Sequence, residues 1–376
     1  MKKANSVKKK ILFVIPSFSV GGTISSLVAL LPVIKDKYDV SIYSRSALGG
    51  NRILFKDYQI LKENVWLSNT VRSQGRIIYV ISLFVQFILR CCRQIGVNVL
   101  PYYARLGCKK IGIGSYDLIV SYQESLAYFV QFFPGKKACW IHSDIRRSNY
   151  GNSFDAFDFI VCVSQFAKIS FLTKFPSLEY KTMVVYNFVN EEAVLKQSAV
   201  DYELDSRFDT SRFTIISVGR FDPVKQFDII PSIAYVLKQK IGDNFSWYII
   251  GANRTFSKER QNIQAKIDEL NLSSNVIILE EKSNVYPYIK KADTLVVTSE
   301  SETFSLVSFE AWTLGTPLVI NDIPIAHEIL KGHTGYISNI SDMPETILKI
   351  YYEPFRVQSF ERLSLLTLSN FESIIG

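Results

Sequence analysis

The segment FTIISVGRFDPVKQFDIIPSIAYVLKQK, residues 213–240, contains a complete strand–turn–helix unit. Its start is rich in β-branched and apolar residues, as a buried strand requires, and from residue 226 the apolar side chains recur with helical spacing. Four more short apolar runs follow, each separated from the next by room for a helix: FSWYIIG (245–251), NVIILE (275–280), DTLVVTS (293–299) and TPLVIND (316–322). Strands that alternate with helices predict a parallel, doubly wound α/β sheet.

A similar but less regular pattern precedes this segment. Its predicted strands are KILFVIP (10–16), YDVSIYS (38–44), YDLIVSY (116–122), KACWIH (137–142), DFIVCVS (158–164) and KTMVVYN (181–187). The polar segment 191–212 separates the two series and holds the domain boundary. We predict one Rossmann-like domain over 1–195, a second over 205–355, and a C-terminal helical segment, 356–376, that packs back on the first. Open parallel sheets bind ligands at the carboxyl ends of their strands, so the two domains are expected to face a central cleft.

Composition excludes several classes of protein. The chain has 376 residues, 48% hydrophobic and 21% charged, a balance typical of folded globular proteins rather than disordered ones. It has only three histidines, and its five cysteines form no C-x-x-C pair, so no metal site is expected. The odd cysteine number suits a reducing compartment, and the apolar stretch after the basic start fits a strand better than a secretory signal. We therefore expect a cytoplasmic protein.

Charge is unevenly distributed along the chain. Residues 1–190 contain 25 Lys and Arg against 10 Asp and Glu, a net charge of +15, and the remainder contains 18 against 25, a net charge of −7. A basic first half predicts contact with an anionic surface, either membrane lipid or nucleic acid, unless the basic residues only keep that half soluble. Nucleic acid is not expected as a partner, because no motif interleaves the basic residues with exposed aromatic ones.

The run RIIYVISLFVQFILR (76–90) is apolar between two arginines. It is too short to span a bilayer, which takes about 20 residues. The run is therefore either a buried helix that covers the sheet or a helix at a lipid interface. Basic residues around it favour the interfacial interpretation: Arg72, Arg76, Arg90, Arg93, Arg105, Lys109 and Lys110. On this interpretation the protein is peripheral at the inner face of the cytoplasmic membrane.

The strongest candidate site is TSESETFSLVSFEAWTLGTP (298–317), which follows a predicted strand and opens a helix near Phe304 or Ser305. The first N–H groups of a helix lack internal partners, so its start can hold a phosphate. Glu302 lies at this helix start, and Glu310 follows eight residues later. Carboxylates accept strong hydrogen bonds from the vicinal hydroxyls of a sugar. Alternatively, Glu302 only supports the helix start and Glu310 lies on a solvated face.

The second candidate is SVGRFDPVKQFD (217–228), the turn after the first strand of the second domain. Arg220 and Lys225 are five residues apart in this turn. Two cations at the carboxyl end of a strand suit a diphosphate, whose departure they would stabilise. The alternative is a pair of exposed loop cations.

Two turns in the first half complete the set. PSFSVGGTISS (16–26) places Gly21 and Gly22 where a strand passes into a helix, which lets a ligand approach the backbone, although the third glycine of a dinucleotide site is missing. CWIHSDIRRSN (139–149) places His142 at the end of a predicted strand. A lone histidine is more often structural than catalytic, but the same loop also carries Asp144, Arg146 and Arg147.

Together these motifs resemble the retaining glycosyltransferases of family 4, which have the GT-B fold of two facing Rossmann-like domains. The resemblance rests on the E-x7-E pair Glu302 and Glu310, the set Gly219, Arg220 and Lys225, the turn at Gly21 and Gly22, and WIHSD (140–144). The family usually has glycine where this chain has Gln226 and Thr303, two positions around the donor.

The resemblance implies a role for each matching residue. Arg220 and Lys225 would neutralise the leaving diphosphate, Glu310 would bind the ribose, and Glu302 would bind hydroxyls of the donor sugar. Backbone amides of Thr303, Phe304 and Ser305 would assist Glu302, and Gly219 would line the same donor site. His142 would face the sugar, and Gly21 and Gly22 would leave room for phosphate and acceptor.

The implied activity is hexosyl transfer with retention, without a cofactor, from a UDP- or GDP-sugar to a glycan. The sequence contains no D-x-D triplet, which is consistent with an enzyme that needs no metal to hold the diphosphate. A lipid-linked acceptor of bacterial capsule, exopolysaccharide or O-antigen synthesis is the preferred substrate, because the basic half suits a membrane surface. A soluble transferase with a small-molecule or protein acceptor is the alternative.

Overall fold

The computed structural model describes residues 7–19, 21–46, 51–62, 76–94, 99–200, 204–252, 257–331, 334–357 and 363–376. The chain divides into two compact units, residues 1–188 with 363–376, and residues 189–362. Residues 189–195, which the sequence interpretation gave to the first domain, thus lie in the second. Asn190 caps a helix there by accepting a hydrogen bond from the Ala193 N–H at 3.0 Å. The boundary therefore falls before this helix rather than after it.

The first unit contains one parallel sheet with seven strands in its described part. These are β1 (Lys10–Ile15), β2 (Asp39–Ser44), β3 (Gln59–Ile60), β4 (Leu118–Ser121), β5 (Lys137–Ile141), β6 (Phe159–Cys162) and β7 (Thr182–Val184), in the order β3-β2-β1-β4-β5-β6-β7. Its first five helices are α1 (Gly22–Ile34), α2 (Arg76–Gln94), α3 (Leu100–Lys110), α4 (Ala127–Val130) and α5 (Gln165–Lys174). The strand order reverses between β1 and β4, which are neighbours.

The second unit contains a parallel sheet with six strands in its described part. These are β8 (Phe213–Val218), β9 (Phe245–Ile250), β10 (Val276–Leu279), β11 (Thr294–Val297), β12 (Leu318–Asn321) and β13 (Tyr336–Ser338), in the order β10-β9-β8-β11-β12-β13. Its helices are α6 (Glu191–Ser198), α7 (Ile230–Ile241), α8 (Ser257–Glu269), α9 (Tyr286–Lys291), α10 (Leu306–Thr313), α11 (Pro324–Ile329) and α12 (Met343–Tyr352). The order reverses between β8 and β11.

The last helix, α13 (Leu363–Ile375), belongs to the first unit. Its Phe371 is fully buried, with its ring 6.4 Å from that of Phe13 on β1 and 6.0 Å from that of Trp140 on β5. Lys136 donates to the Ile374 carbonyl at 3.0 Å. Burial of an aromatic ring against two strands ties the end of the chain to the first sheet.

Both sheets have apolar interiors. All five residues from Ile11 to Ile15 on β1 are fully buried, as are Ile215 and Ile216 on β8. Strands that are covered on both faces read as continuous apolar runs, which is why the sequence pattern located them. The prediction of two Rossmann-like parallel-sheet domains is confirmed. Among the described helices, none has the length and hydropathy needed to span a membrane.

Candidate functional site

The loops after β8 and β11 meet at the reversal point of the second sheet. The Thr298 hydroxyl donates to the Lys225 carbonyl at 2.7 Å, and the Glu300 N–H donates to the Val224 carbonyl at 2.9 Å. Because β8 and β11 are parallel neighbours, both loops leave the sheet at its carboxyl edge, where such sheets bind ligands. We call Gly219, Arg220, Lys225, Ser299 and Glu302 the switch-point cluster.

An ion pair lies at the centre of this cluster. Lys225 Nζ is 2.5 Å from Glu302 Oε1, and the Ser299 hydroxyl donates to the same oxygen at 2.8 Å. The two charged side chains are only 22% and 13% exposed. A partly buried, hydrogen-bonded pair of this kind is held more firmly than a surface pair. In this state the Lys225 charge is balanced by Glu302, so an incoming anion would compete with the carboxylate for it.

Arg220 is placed differently. Its side chain is 62% exposed, and Nη2 lies 3.2 Å from Asp222 Oδ2. Asp222 also accepts from the Val224 N–H and so begins the short helical turn Pro223–Lys225. The structure therefore brings both predicted cations to one loop, with Lys225 inward and Arg220 exposed.

The backbone beneath the cluster is tightly packed. A Cβ on Gly251 would lie 1.8 Å from the carbonyl oxygen of Gly219, so the loop after β9 needs glycine there. A Cβ on Gly219 would lie 3.2 Å from the Phe227 ring, a tighter but adjustable contact. Gln226 has φ 49°, a left-handed conformation that costs a non-glycine residue roughly 1 kcal/mol. This is the position at which the resembling family usually has glycine.

The helix predicted to open near Phe304 or Ser305 begins at Leu306. Ser305 has φ 59°, which is left-handed and ends the preceding loop before α10 starts. Phe304 is 3% exposed and its ring stacks on Phe309 at 4.6 Å, so only its backbone is available to a ligand. Glu302 therefore lies in the loop before the helix, and Thr303 beside it is half-buried.

Glu310 lies on α10 with its carboxyl group directed toward α9. The Tyr286 hydroxyl donates to Glu310 Oε1 at 3.2 Å. Burial raises the pKa of Glu310 to about 7, and the hydrogen bond from Tyr286 lowers it by a smaller amount. The solvated-face interpretation of Glu310 is therefore not what the structure shows.

In the first unit, a buried carboxylate organises the end of β5. Glu124 is 3% exposed; its Oε2 accepts from the His142 N–H at 2.9 Å and its Oε1 from the Ser143 hydroxyl at 2.5 Å. The His142 ring lies 5.0 Å from the Tyr122 ring, and burial lowers the pKa of His142 to about 3. The imidazole is thus neutral at physiological pH, when it can both donate and accept a hydrogen bond.

The rest of this loop is held locally. Asp144 accepts from the Arg146 side chain and from the Ser170 hydroxyl at 2.6 Å, and the Arg146 hydrogen bonds hold the pKa of its carboxyl well below the usual range. Gly21 and Gly22 come between β1 and the body of α1, and a Cβ on Gly21 would meet open space. Among the described residues nothing lies within 4 Å of that Cβ position, so packing against them does not demand glycine at position 21.

Sequence reasoning missed three residues that the structure adds to these sites. Ser299 lies inside the candidate segment 298–317 but was given no role, and neither Tyr286 nor Glu124 was named as a candidate. Glu124 follows β4 closely, so its place after a central strand was an available signal. Its burial against the end of β5 follows from strand order, which no local pattern reveals.

Comparison with known proteins agrees with this geometry. Residues 202–350 match the family model "Glycosyl transferases group 1". N-acetyl-alpha-D-glucosaminyl L-malate synthase of Bacillus anthracis is 24% identical over 160 residues, 42% of this chain and 40% of that protein. O-antigen chain mannosyltransferase RfbU of Salmonella typhimurium is 24% identical over 203 residues, 50% of this chain and 52% of that protein. The chain thus spans about half, or less, of the length of the curated relatives it matches.

Among solved structures, Anabaena HepE in complex with UDP and glucose superimposes with a TM-score of 0.70 at 14% identity, over 98% of this chain and 97% of that one. At this identity the likeness establishes the fold alone. The chain therefore has a GT-B fold. Its second unit, which carries the switch-point cluster and Glu310, contains the segment that matches the group 1 glycosyl transferases.

Proposed function

We propose that this protein is a metal-independent, retaining glycosyltransferase of the family 4 type that transfers a hexose from a UDP- or GDP-sugar to a glycan acceptor. The observation that carries the proposal is the Lys225–Glu302 pair, 2.5 Å apart beside Arg220 at the reversal point of a group 1 unit. A cation and a carboxylate in one partly buried site suit a ligand with a diphosphate at one end and sugar hydroxyls at the other.

Charge development explains the role of the two cations. When the bond between the anomeric carbon and the diphosphate oxygen breaks, negative charge grows on the departing phosphate. Lys225, released from Glu302, and the exposed Arg220 would stabilise that charge, and such electrostatic contributions are commonly worth several kcal/mol. The acceptor oxygen would bond to the anomeric carbon on the same face, and its proton would pass to the leaving phosphate.

The remaining residues would position the donor. Glu302 would accept hydrogen bonds from sugar hydroxyls, with the amides of Thr303, Phe304 and Ser305 beside it. Glu310 would accept from the ribose hydroxyls. These assignments follow the resemblance and are supported by the loop position of Glu302 and by the inward carboxyl of Glu310.

In the first unit, neutral His142 would hydrogen-bond an uncharged sugar hydroxyl. The burial that lowers its pKa to about 3 supports this role, because a neutral imidazole can both donate to and accept from an uncharged hydroxyl. Gly21 and Gly22 would leave room for phosphate and acceptor, in keeping with the open space beside Gly21.

A screen of donor hydrolysis tests the proposal. The full-length protein is incubated with UDP-, GDP- and ADP-sugars, and release of free nucleotide and the anomeric configuration of the sugar are followed by NMR. We expect turnover of a UDP- or GDP-sugar with retention, unaffected by a chelator and lost in Lys225→Ala. Turnover of none of the donors would contradict the proposed activity, and inversion would contradict the mechanism.

We also propose a lipid-linked acceptor in bacterial cell-surface polysaccharide synthesis, with the enzyme docked on the cytoplasmic membrane face. The O-antigen mannosyltransferase RfbU and a Klebsiella pneumoniae protein from a cps region, 26% identical over 173 residues, support the setting. The exposed face of α2 supports the docking. It presents Ile77, Val80, Ile81, Phe84 and Phe87, which are 46–77% exposed and lie along one helical stripe.

Charge favours an anionic bilayer as the partner of this stripe. Arg105, Lys109 and Lys110 lie on α3 and are exposed. Each basic residue near an anionic surface contributes about 1 kcal/mol. Vesicle flotation tests it: we expect binding to anionic but not neutral vesicles, weakened by Phe84→Gln with Phe87→Gln. Ile169→Gln on α5, a 65% exposed apolar side chain in the same unit, is the matched control. Absence of binding to anionic vesicles at low salt would favour a soluble acceptor.

A further inference from the structure

Tyr286 and Glu310 form a contact that the motif of the second unit does not contain. Tyr286 is the first residue of α9 and Glu310 lies in the middle of α10, and the two are 24 positions apart in sequence. Within the described part of the chain, Tyr286 is the hydrogen-bond partner of Glu310, through Oε1. The second carboxylate oxygen, Oε2, has no partner there and is left for a ligand.

We propose that Tyr286 is a positioning residue for the nucleotide: it holds Glu310 Oε1 so that Oε2 accepts hydrogen bonds from the ribose hydroxyls. The inference rests on the proposed function and deepens it. A glutamate carboxylate can turn about its terminal bonds, and an anchored oxygen removes that freedom before the ligand arrives.

The position of Tyr286 is itself fixed by its neighbours. Its N–H donates to Asn284 Oδ1 at 3.1 Å, and Asn284 Nδ2 donates to the Gln197 carbonyl at the end of α6 at 2.9 Å. The ring is half-buried. The hydroxyl is thus aimed at Glu310 from a helix start that is anchored to a third helix.

The same contact adjusts the charge of Glu310. Burial raises the pKa of Glu310 to about 7, and the Tyr286 hydrogen bond opposes that rise. Removing the hydroxyl therefore raises the pKa further and leaves less of the carboxylate ionised near neutral pH. The other charged side chains on the two helices packed against α10 are exposed or half-buried: Glu191, Glu192 and Lys196 on α6, and Lys290 and Lys291 on α9.

The test compares ribose and deoxyribose ligands. Calorimetry measures the Kd of UDP, GDP and their 2′,3′-dideoxy forms for the wild type, Tyr286→Phe and Glu310→Gln. We expect Tyr286→Phe to weaken the ribonucleotide about tenfold, the worth of roughly one hydrogen bond to a charged group, and to leave the dideoxy form unchanged. Tyr288→Phe is the matched control, because Tyr288 lies on the same helix as Tyr286. Its hydroxyl accepts from the Asp205 N–H at 2.7 Å, so its removal does not touch the Tyr286–Glu310 contact.

The pH profile adds a readout that packing alone would not move. Between pH 6 and 8, wild-type affinity for the ribonucleotide should rise with pH as Glu310 ionises. The pH at the midpoint of this rise should be higher in Tyr286→Phe. Because glutamine does not ionise, Glu310→Gln shows how much of the pH dependence of affinity comes from the nucleotide phosphate itself. Equal affinity and midpoint in Tyr286→Phe and the wild type would overturn this inference. Failure of the wild type to bind any nucleotide would instead overturn the proposed function.

Discussion

The two units carry different side chains after their central strands. In the second unit, the loops after the central pair β8 and β11 carry Arg220, Lys225 and Glu302, with Lys225 and Glu302 in contact. In the first unit, the loops after β4 and β5 carry a buried carboxylate, Glu124, and a neutral imidazole, His142. A shared parallel-sheet architecture therefore does not fix the chemistry of a unit, because the residues after each strand decide the charge.

The difference indicates a division of labour. Two cations beside a carboxylate suit a ligand that gains negative charge, and a neutral imidazole suits uncharged hydroxyls. If this is right, variants of the second unit should change diphosphate binding and turnover, and variants of the first should change turnover and stability without changing diphosphate affinity.

Lys225→Ala and Arg220→Ala should have the largest effect. Each removes charge from the leaving diphosphate, so we expect turnover to fall by about 10²-fold or more, measured as nucleotide release. Lys240→Ala, an exposed cation on α7 paired with Glu345, is the control and should keep its rate. Near wild-type rates in both cluster variants would place the diphosphate elsewhere.

Glu302→Gln should reduce transfer strongly and leave the affinity for the free nucleotide within about threefold. The carboxylate touches Lys225 and Ser299, and its proposed partner is the sugar, which the free nucleotide lacks. Calorimetry with the nucleoside diphosphate and a parallel turnover assay separate the two effects. A large loss of nucleotide affinity with normal transfer would exchange the roles of Glu302 and Glu310.

Glu124→Ala should act on the first unit alone. It leaves the His142 N–H and the Ser143 hydroxyl without their acceptor, at a cost of about 1–3 kcal/mol in the free energy of unfolding. We expect a lower denaturation midpoint and slower transfer at unchanged nucleotide affinity. Ser115→Ala removes a hydroxyl that donates to the Gly112 carbonyl on an exposed turn of the same unit, and it should change neither.

The pH dependence of stability should show an effect only below about pH 6.5. Burial lowers the pKa of His142 to about 3, below its ordinary 6.5, so the unfolded chain binds the extra proton first. This contribution to stability is present above pH 6.5 and is lost as the pH falls toward 3. Comparing denaturant unfolding of the wild type and His142→Asn from pH 7 to 4.5, we expect the variant to lose less stability on acidification. Parallel profiles would mean that His142 titrates normally.

The sequence predicted most of the strands because burial on both faces makes them continuous apolar runs. It missed β3 and β13, which have two and three residues and leave little pattern. It also placed the start of α10 one or two residues early. Ser305 has a left-handed backbone conformation, which a glycine would have indicated in the sequence and a serine does not.

Site residues could be predicted where they follow strands in recognisable motifs. Contacts between distant segments could not. Lys225 and Glu302 are 77 positions apart, and their pairing depends on β8 lying beside β11. Tyr286 and Glu124 could not be predicted for the same reason. Each reaches its partner through the packing of whole elements rather than through spacing along the chain.

The central claim is that the switch-point cluster binds the diphosphate of a nucleotide. Calorimetric titration of the full-length protein with UDP, GDP and the corresponding nucleosides tests it most directly, in the wild type and in the double variant Arg220→Ala with Lys225→Ala. The account predicts that the wild type binds one of the diphosphates and that the double variant loses the preference for diphosphate over nucleoside. An undiminished preference in the double variant, or no binding of either diphosphate by the wild type, would contradict it.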